Sequence, residues 1–171
     1  MAAVGAPTWP HRARNEWRAR AGAEWHRGPP VHNALGFTGN IVLHPNQFQP
    51  DEAWIVFRLN DVPVQTEEEG SFNVVALMDA ASCFIFGAEF IAIERTEPSQ
   101  AEVRRLIKSA KKETQNLPKT LFLPKRQFEK VLPTEAARLG ISVVHVEEIE
   151  LLPFIGEARS GFNQFRQREE R

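Results

Sequence analysis

Apolar and polar positions change their period several times along the chain. From Ala53 to Asn60 they alternate, with Ile55, Phe57 and Leu59 on one side and Trp54, Val56 and Arg58 on the other, which predicts a strand. Phe72 to Met78 is a continuous apolar run, the pattern of a central strand covered on both faces. Asp79-Ala80-Ala81-Ser82 can turn the chain, and Cys83 to Ile93 returns as a second long strand, completing a hairpin. After Pro98 the period becomes helical. Ser99 and Glu102 fit a capping box, and Val103, Leu106, Ile107 and Ala110 form one apolar stripe. Thr120 to Leu123 predicts a short buried strand closed by Pro124. Gln127 to Leu139 predicts a helix broken at Pro133 and ended by Gly140. Ile141 to Val146 predicts a strand. Ile149 to Arg168 predicts a last helix with Leu152, Ile155, Ala158, Phe162 and Phe165 on its apolar face. The expected fold class is α/β: a mixed β-sheet with a long hairpin followed by α-β-α-β-α, its helices packed on the sheet.

Two segments stand outside this pattern. Asp61 to Ser71, with Pro63, Glu67, Glu68, Glu69 and Gly70, reads as an exposed acidic loop. Residues 1–35 carry five arginines, two glutamates, four prolines and few large aliphatic side chains. Such a stretch cannot bury enough surface to offset its ordering entropy, so it reads as a flexible basic N-terminal arm. A single α/β domain is expected over 36–171, opening with a turn at Gly36–Asn40 and a short strand at Ile41–Leu43.

Composition narrows the class. Of 171 residues 42% are hydrophobic and 25% charged, with a net charge of −1, which is ordinary for a globular chain. The 72–93 stretch contains Asn73, Asp79, Ser82 and Glu89, so no membrane span is expected, and the cytoplasm is the expected compartment. The lone cysteine, Cys83, sits in an apolar run and reads as an inert thiol. His11, His26, His32, His44 and His145 make no close ligand pair on one element, so no zinc site is expected. No nucleophile elbow, phosphate loop or dinucleotide fingerprint is present, and no nucleotide cofactor is expected.

Carboxylates remain as candidate chemistry. Asp79 ends the strongest apolar strand. The run Val75 to Ser82, its returning strand, the helix from Ser99, the strand Thr120–Leu123 and the helix–strand–helix after it resemble a ribonuclease H-like core of the integrase and transposase kind, over about residues 53–167. The resemblance implies a divalent-metal nuclease or phosphotransferase in which Asp79 binds magnesium or manganese and a later helix supplies Glu157; Glu89 and Glu94 are further acids of the same kind. It also implies an aspartate after the fourth strand, where this chain has Pro124-Lys125-Arg126. A cation in place of a metal-binding acid points to a shortened, inactive relative.

Charge patterning supplies the other candidate. Glu102 to Lys130 holds nine cations against three acids, whereas Asp51 to Gly70 holds six acids against Arg58. Arg104, Lys108, Lys111, Lys112, Lys125 and Arg126 are expected to form a basic binding patch. The sequence thus favours a non-catalytic α/β interaction module that contacts nucleic acid or an acidic protein surface and needs no cofactor. The alternative is the metal-dependent enzyme.

Overall fold

The computed structural model describes residues 43–66 and 70–169. At the centre of its sheet, β1 (Ala53–Arg58) pairs antiparallel with β3 (Gly70–Asp79) and parallel with β5 (Thr120–Pro124). On the far side of β3 lies its hairpin partner β4 (Ile85–Ala92), and beyond β5 lies the parallel β6 (Ser142–Val146). The order across the sheet is β4-β3-β1-β5-β6, with a short β2 (Val64–Thr66) paired to the start of β3. The expected mixed sheet and long hairpin are therefore present.

β1 and β2 pair with successive parts of β3, and Asn60 bridges the break between them. Its amide oxygen accepts the Val74 N–H at 2.6 Å, while Nδ2 donates to the Val62 carbonyl and to Asn73 Oδ1. A buried carboxamide thus replaces the ladder bonds that the chain gives up there. This strand falls within the stretch expected to be an acidic loop. Val64 and Thr66 are β-branched and meet the edge of a strand already in place, which outweighs the nearby acids.

Side-chain alternation sends β1 into two cores. Ile55, Phe57 and Leu59 pack with α3 (Glu148–Glu169), and Trp54 and Val56 pack with α1 (Gln100–Thr114) and α2 (Val131–Arg138). The start of α1 follows the expected capping box: Ser99 Oγ accepts the Glu102 N–H, and Glu102 accepts the Ser99 N–H.

Other elements depart from expectation. α2 begins at Val131, not Gln127, because Arg126 and Phe128 adopt left-handed φ angles of 65° and 56° that no helix accommodates. Pro133 then falls in the first turn, where its missing N–H has no helical partner to lose. On α3 the buried stripe is Leu151, Phe154, Ile155, Ala158 and Phe162, while Leu152 is 46% exposed and Phe165 only partly buried. Taking the phase from Leu151 gives a complete i, i+3, i+4, i+7 face, which Leu152 does not. The returning strand starts at Ile85, since Cys83 takes φ 56° inside the turn. Leu43 is not in a strand; residues 41 and 42, like the expected arm over 1–35, lie outside the described residues.

Candidate anion-binding site

The carboxyl ends of the parallel strands are where open α/β sheets form ligand crevices. Here that edge holds a cavity of about 490 Å³. Val75, Ile91 and Phe128 give it an apolar base, and Arg58, Arg95, Lys125 and Arg126 bring four cations to its lining. Asn73, Thr96 and Gln127 add polar groups, and no lining residue is an acid.

Sequence and topology explain the convergence. Arg58 follows Trp54 and Val56 on the same face of β1, but at the strand end it emerges from the core and is exposed. Parallel pairing of β1 with β5 brings it level with Lys125 and Arg126, which follow Pro124 directly. The opposite wall, Arg95-Thr96, belongs to the connection from β4 to α1. Glu97 ties the two walls together: its carboxylate accepts the N–H groups of Glu129 at 2.7 Å, Lys130 at 3.0 Å and Val131 at 2.8 Å. The first turn of α2 is thereby capped from a distant segment, and the anion attracted to that helix end is the protein's own.

Two of the four cations are held by acids outside the cavity. Arg95 grips Glu102 through both terminal nitrogens at 2.7 and 2.8 Å, which lowers the Glu102 carboxyl to about 2 despite the opposing effect of burial. Lys125 Nζ lies 2.8 Å from Glu147 Oε1, and this bond holds the Glu147 carboxyl below its ordinary range. The backbone of Arg58 is clamped as well: Arg159 donates to the Arg58 carbonyl at 3.1 and 2.8 Å and to Glu148 at 2.6 Å. Glu148 in turn accepts from Gln127. Among the described residues, the Arg58 and Arg126 guanidinium groups form no ion pair or hydrogen bond with a carboxylate, although the Arg126 charge helps to lower the Glu147 carboxyl. Two planar, permanently charged forks on a fixed frame can chelate an oxyanion.

The six cations singled out in the sequence are divided by the fold. Lys125 and Arg126 line this cavity. Arg104 faces away from it and shares the buried Glu135 with Gln100 and Arg138. Lys108 and Lys112 line a different groove, against β4. Lys112 lies about 15 Å along α1 from Glu102 at 1.5 Å per residue, and Lys111 is exposed beside it. Arg58 and Arg95 joined the site without being singled out. The pairing of β1 with β5 was the missing information, because it decides which strand ends meet.

The acids implied by the resemblance lie elsewhere. Asp79 pairs with Trp54 near the amino end of β1, on the opposite edge of the sheet. Its carboxylate accepts the Asp51 N–H at 3.0 Å, the Ser82 N–H at 2.8 Å and the Ser82 hydroxyl at 2.6 Å. Those bonds organise the turn and take three of the carboxylate's roughly four acceptor positions on a residue only 2% exposed, which leaves little of it for a divalent cation. Glu157 is exposed on α3 beside Cys83. Burial, and then Asp79 and Glu157, push the Cys83 thiol up to about 11, so it stays protonated at neutral pH. Glu89 is paired with Arg105, and Glu94 is exposed just after β4. No group of three histidine, cysteine or acidic side chains among the described residues is arranged to hold a metal ion. No helix among them is long and apolar enough to cross a membrane.

The solved structures that resemble this chain include two of viral origin. The HTLV-2 integrase catalytic core domain in complex with magnesium matches 64% of this chain and 83% of its own, at 10% identity and a TM-score of 0.38. A chain of the simian T-cell lymphotropic virus intasome in complex with PP2A regulatory subunit B56 gamma matches 83% of this chain at 12% identity and a TM-score of 0.42. The match spans 45% of that second chain. No family model and no curated protein matches the sequence.

Proposed function

We propose that this chain is a non-catalytic binding module that holds phosphate groups of a nucleic acid at the carboxyl edge of its parallel strands. One observation carries the reading: Arg58 and Arg126 reach a single cavity with Arg95 and Lys125, and no acid lines it. Phosphate oxygens match the forked guanidinium donors and supply the charge that the site lacks. The occupied carboxylate of Asp79 supports the non-catalytic part of the reading.

The test is titration of labelled single- and double-stranded DNA and RNA against wild type and an Arg58→Glu/Arg126→Glu variant, in EDTA. Wild type binds at least one of these ligands without metal, and the variant loses most of that affinity with its fold intact. Equal binding by both proteins, or no binding by either, removes nucleic acid as the ligand of this site.

A further inference from the structure

A second groove, of about 380 Å³, runs between β4 and α1. Gly87 lies on its floor: a Cβ there would make ordinary van der Waals contact, 3.4 Å from Ser109 Cβ and 3.9 Å from a Leu106 methyl, and so would fill part of the groove. Phe86, Gly87 and Ala88 form one side of the groove, and Leu106, Lys108, Ser109 and Lys112 form the other. Arg105 also lines it, but its Nε and one terminal nitrogen each donate to Glu89 at 3.0 Å. Lys108 and Lys112 have no acidic partner among the described residues. They stand one helical turn apart on the side of α1 nearest the strand.

We propose that this groove binds an extended acidic peptide segment of a protein partner, laid along β4. Three features select that occupant. The Ile93 N–H donates to the Ser71 carbonyl, so alternation along the antiparallel ladder turns Gly87, Glu89 and Ile91 toward β3 and the N–H and C=O of Ala88 outward. A peptide strand is the ligand that completes such a pair of backbone bonds. Second, acidic side chains at alternate positions of an extended strand lie about 6.6 Å apart, close to the rise of about 6 Å from Lys108 to Lys112. Third, the half-buried Phe86 offers apolar contact for the residue between those acids. Phe86 is held in place by Trp54 at 5.3 Å and Phe84 at 5.5 Å between ring centroids.

This inference is independent of the strand-end site, and its test keeps the two apart. A fluorescein-labelled octapeptide of alternating Glu and Val is titrated by anisotropy against the full chain, with an alternating Lys and Val peptide as control. Wild type binds the acidic peptide saturably and ignores the basic one. Lys108→Glu/Lys112→Glu weakens the acidic peptide by about tenfold or more. Arg58→Glu/Arg126→Glu leaves its affinity unchanged. Gly87→Ala, the smallest filling of the groove, weakens binding without reversing any charge, and circular dichroism confirms that each variant is folded. No saturable binding of the acidic peptide overturns the proposal. So does equal loss in the two charge-reversal variants, which would report only bulk charge. Displacement of the peptide by a DNA oligonucleotide, lost on reversing Lys108 and Lys112, would make the groove a nucleic-acid face and overturn it as well.

Discussion

Glu97 illustrates how one side chain can build a site without entering it. Three consecutive N–H groups converge on its carboxylate, and they join the start of α2 to the loop that carries Lys125, Arg126 and Phe128. Glu97→Ala should destabilise the fold by about 1 kcal/mol, as loss of a helix cap does, and should also weaken anion binding because Arg126 loses its fixed position. Thermal melts and oligonucleotide titrations of the variant check both effects. Glu102 and Glu135 make a second residue-level prediction. Hydrogen bonds, chiefly from Arg95 and Arg104 respectively, lower both carboxyls from 4.5 to about 2. A group with a depressed folded-state pKa adds stability that is fully present above its unfolded value and disappears as pH falls through the folded one. Stability should therefore decline between pH 4.5 and about 2, and Glu102→Gln should make that decline shallower in acid-unfolding curves followed by circular dichroism. The roles of Glu97 and Glu135 were hidden in the sequence, because Glu97 finds its partners across 32 to 34 positions and Glu135 meets Arg104 and Gln100 across 31 and 35.

Elements whose pattern is local were legible. The apolar run of β3 and its return in β4, the capping box of α1 and the β5 segment all follow from periods and caps within a few residues. Where tertiary bonds decide, the pattern misled. The 127–130 segment reads as helix but is held as a loop by Glu97 and by two left-handed residues. β2 exists because β3 supplies a free edge and Asn60 bridges the gap in the ladder. Asn60→Ala should cost about 1–3 kcal/mol by leaving the buried Val74 N–H without its acceptor, measured as a fall in the urea midpoint at unchanged slope. Leucine is the wrong replacement for this test, since its bulk would add a packing change.

Over the whole molecule, charge is arranged by the sheet rather than by the sequence run in which it occurs. Nine cations between Glu102 and Lys130 suggest one surface. The fold instead sends Arg104 to Glu135, Lys108 and Lys112 to the β4 groove, and Lys125 and Arg126 to the strand ends beside Arg58 and Arg95. The strand-end cavity thus gathers cations from three separated stretches of chain, while Asp79 organises a turn at the other edge. Incubation of DNA and RNA with the protein and magnesium or manganese should accordingly yield no cleavage above background, and Asp79→Asn should lower the melting temperature rather than abolish an activity. If Arg58 and Arg126 meet phosphate, the salt dependence of binding carries their contribution. With a single-stranded DNA oligonucleotide in EDTA, a plot of log affinity against log salt should lose about 0.7 of slope for each phosphate contact removed, so Arg58→Gln/Arg126→Gln should flatten it by about 1.4. An unchanged slope in a folded variant would mean that neither guanidinium meets a phosphate.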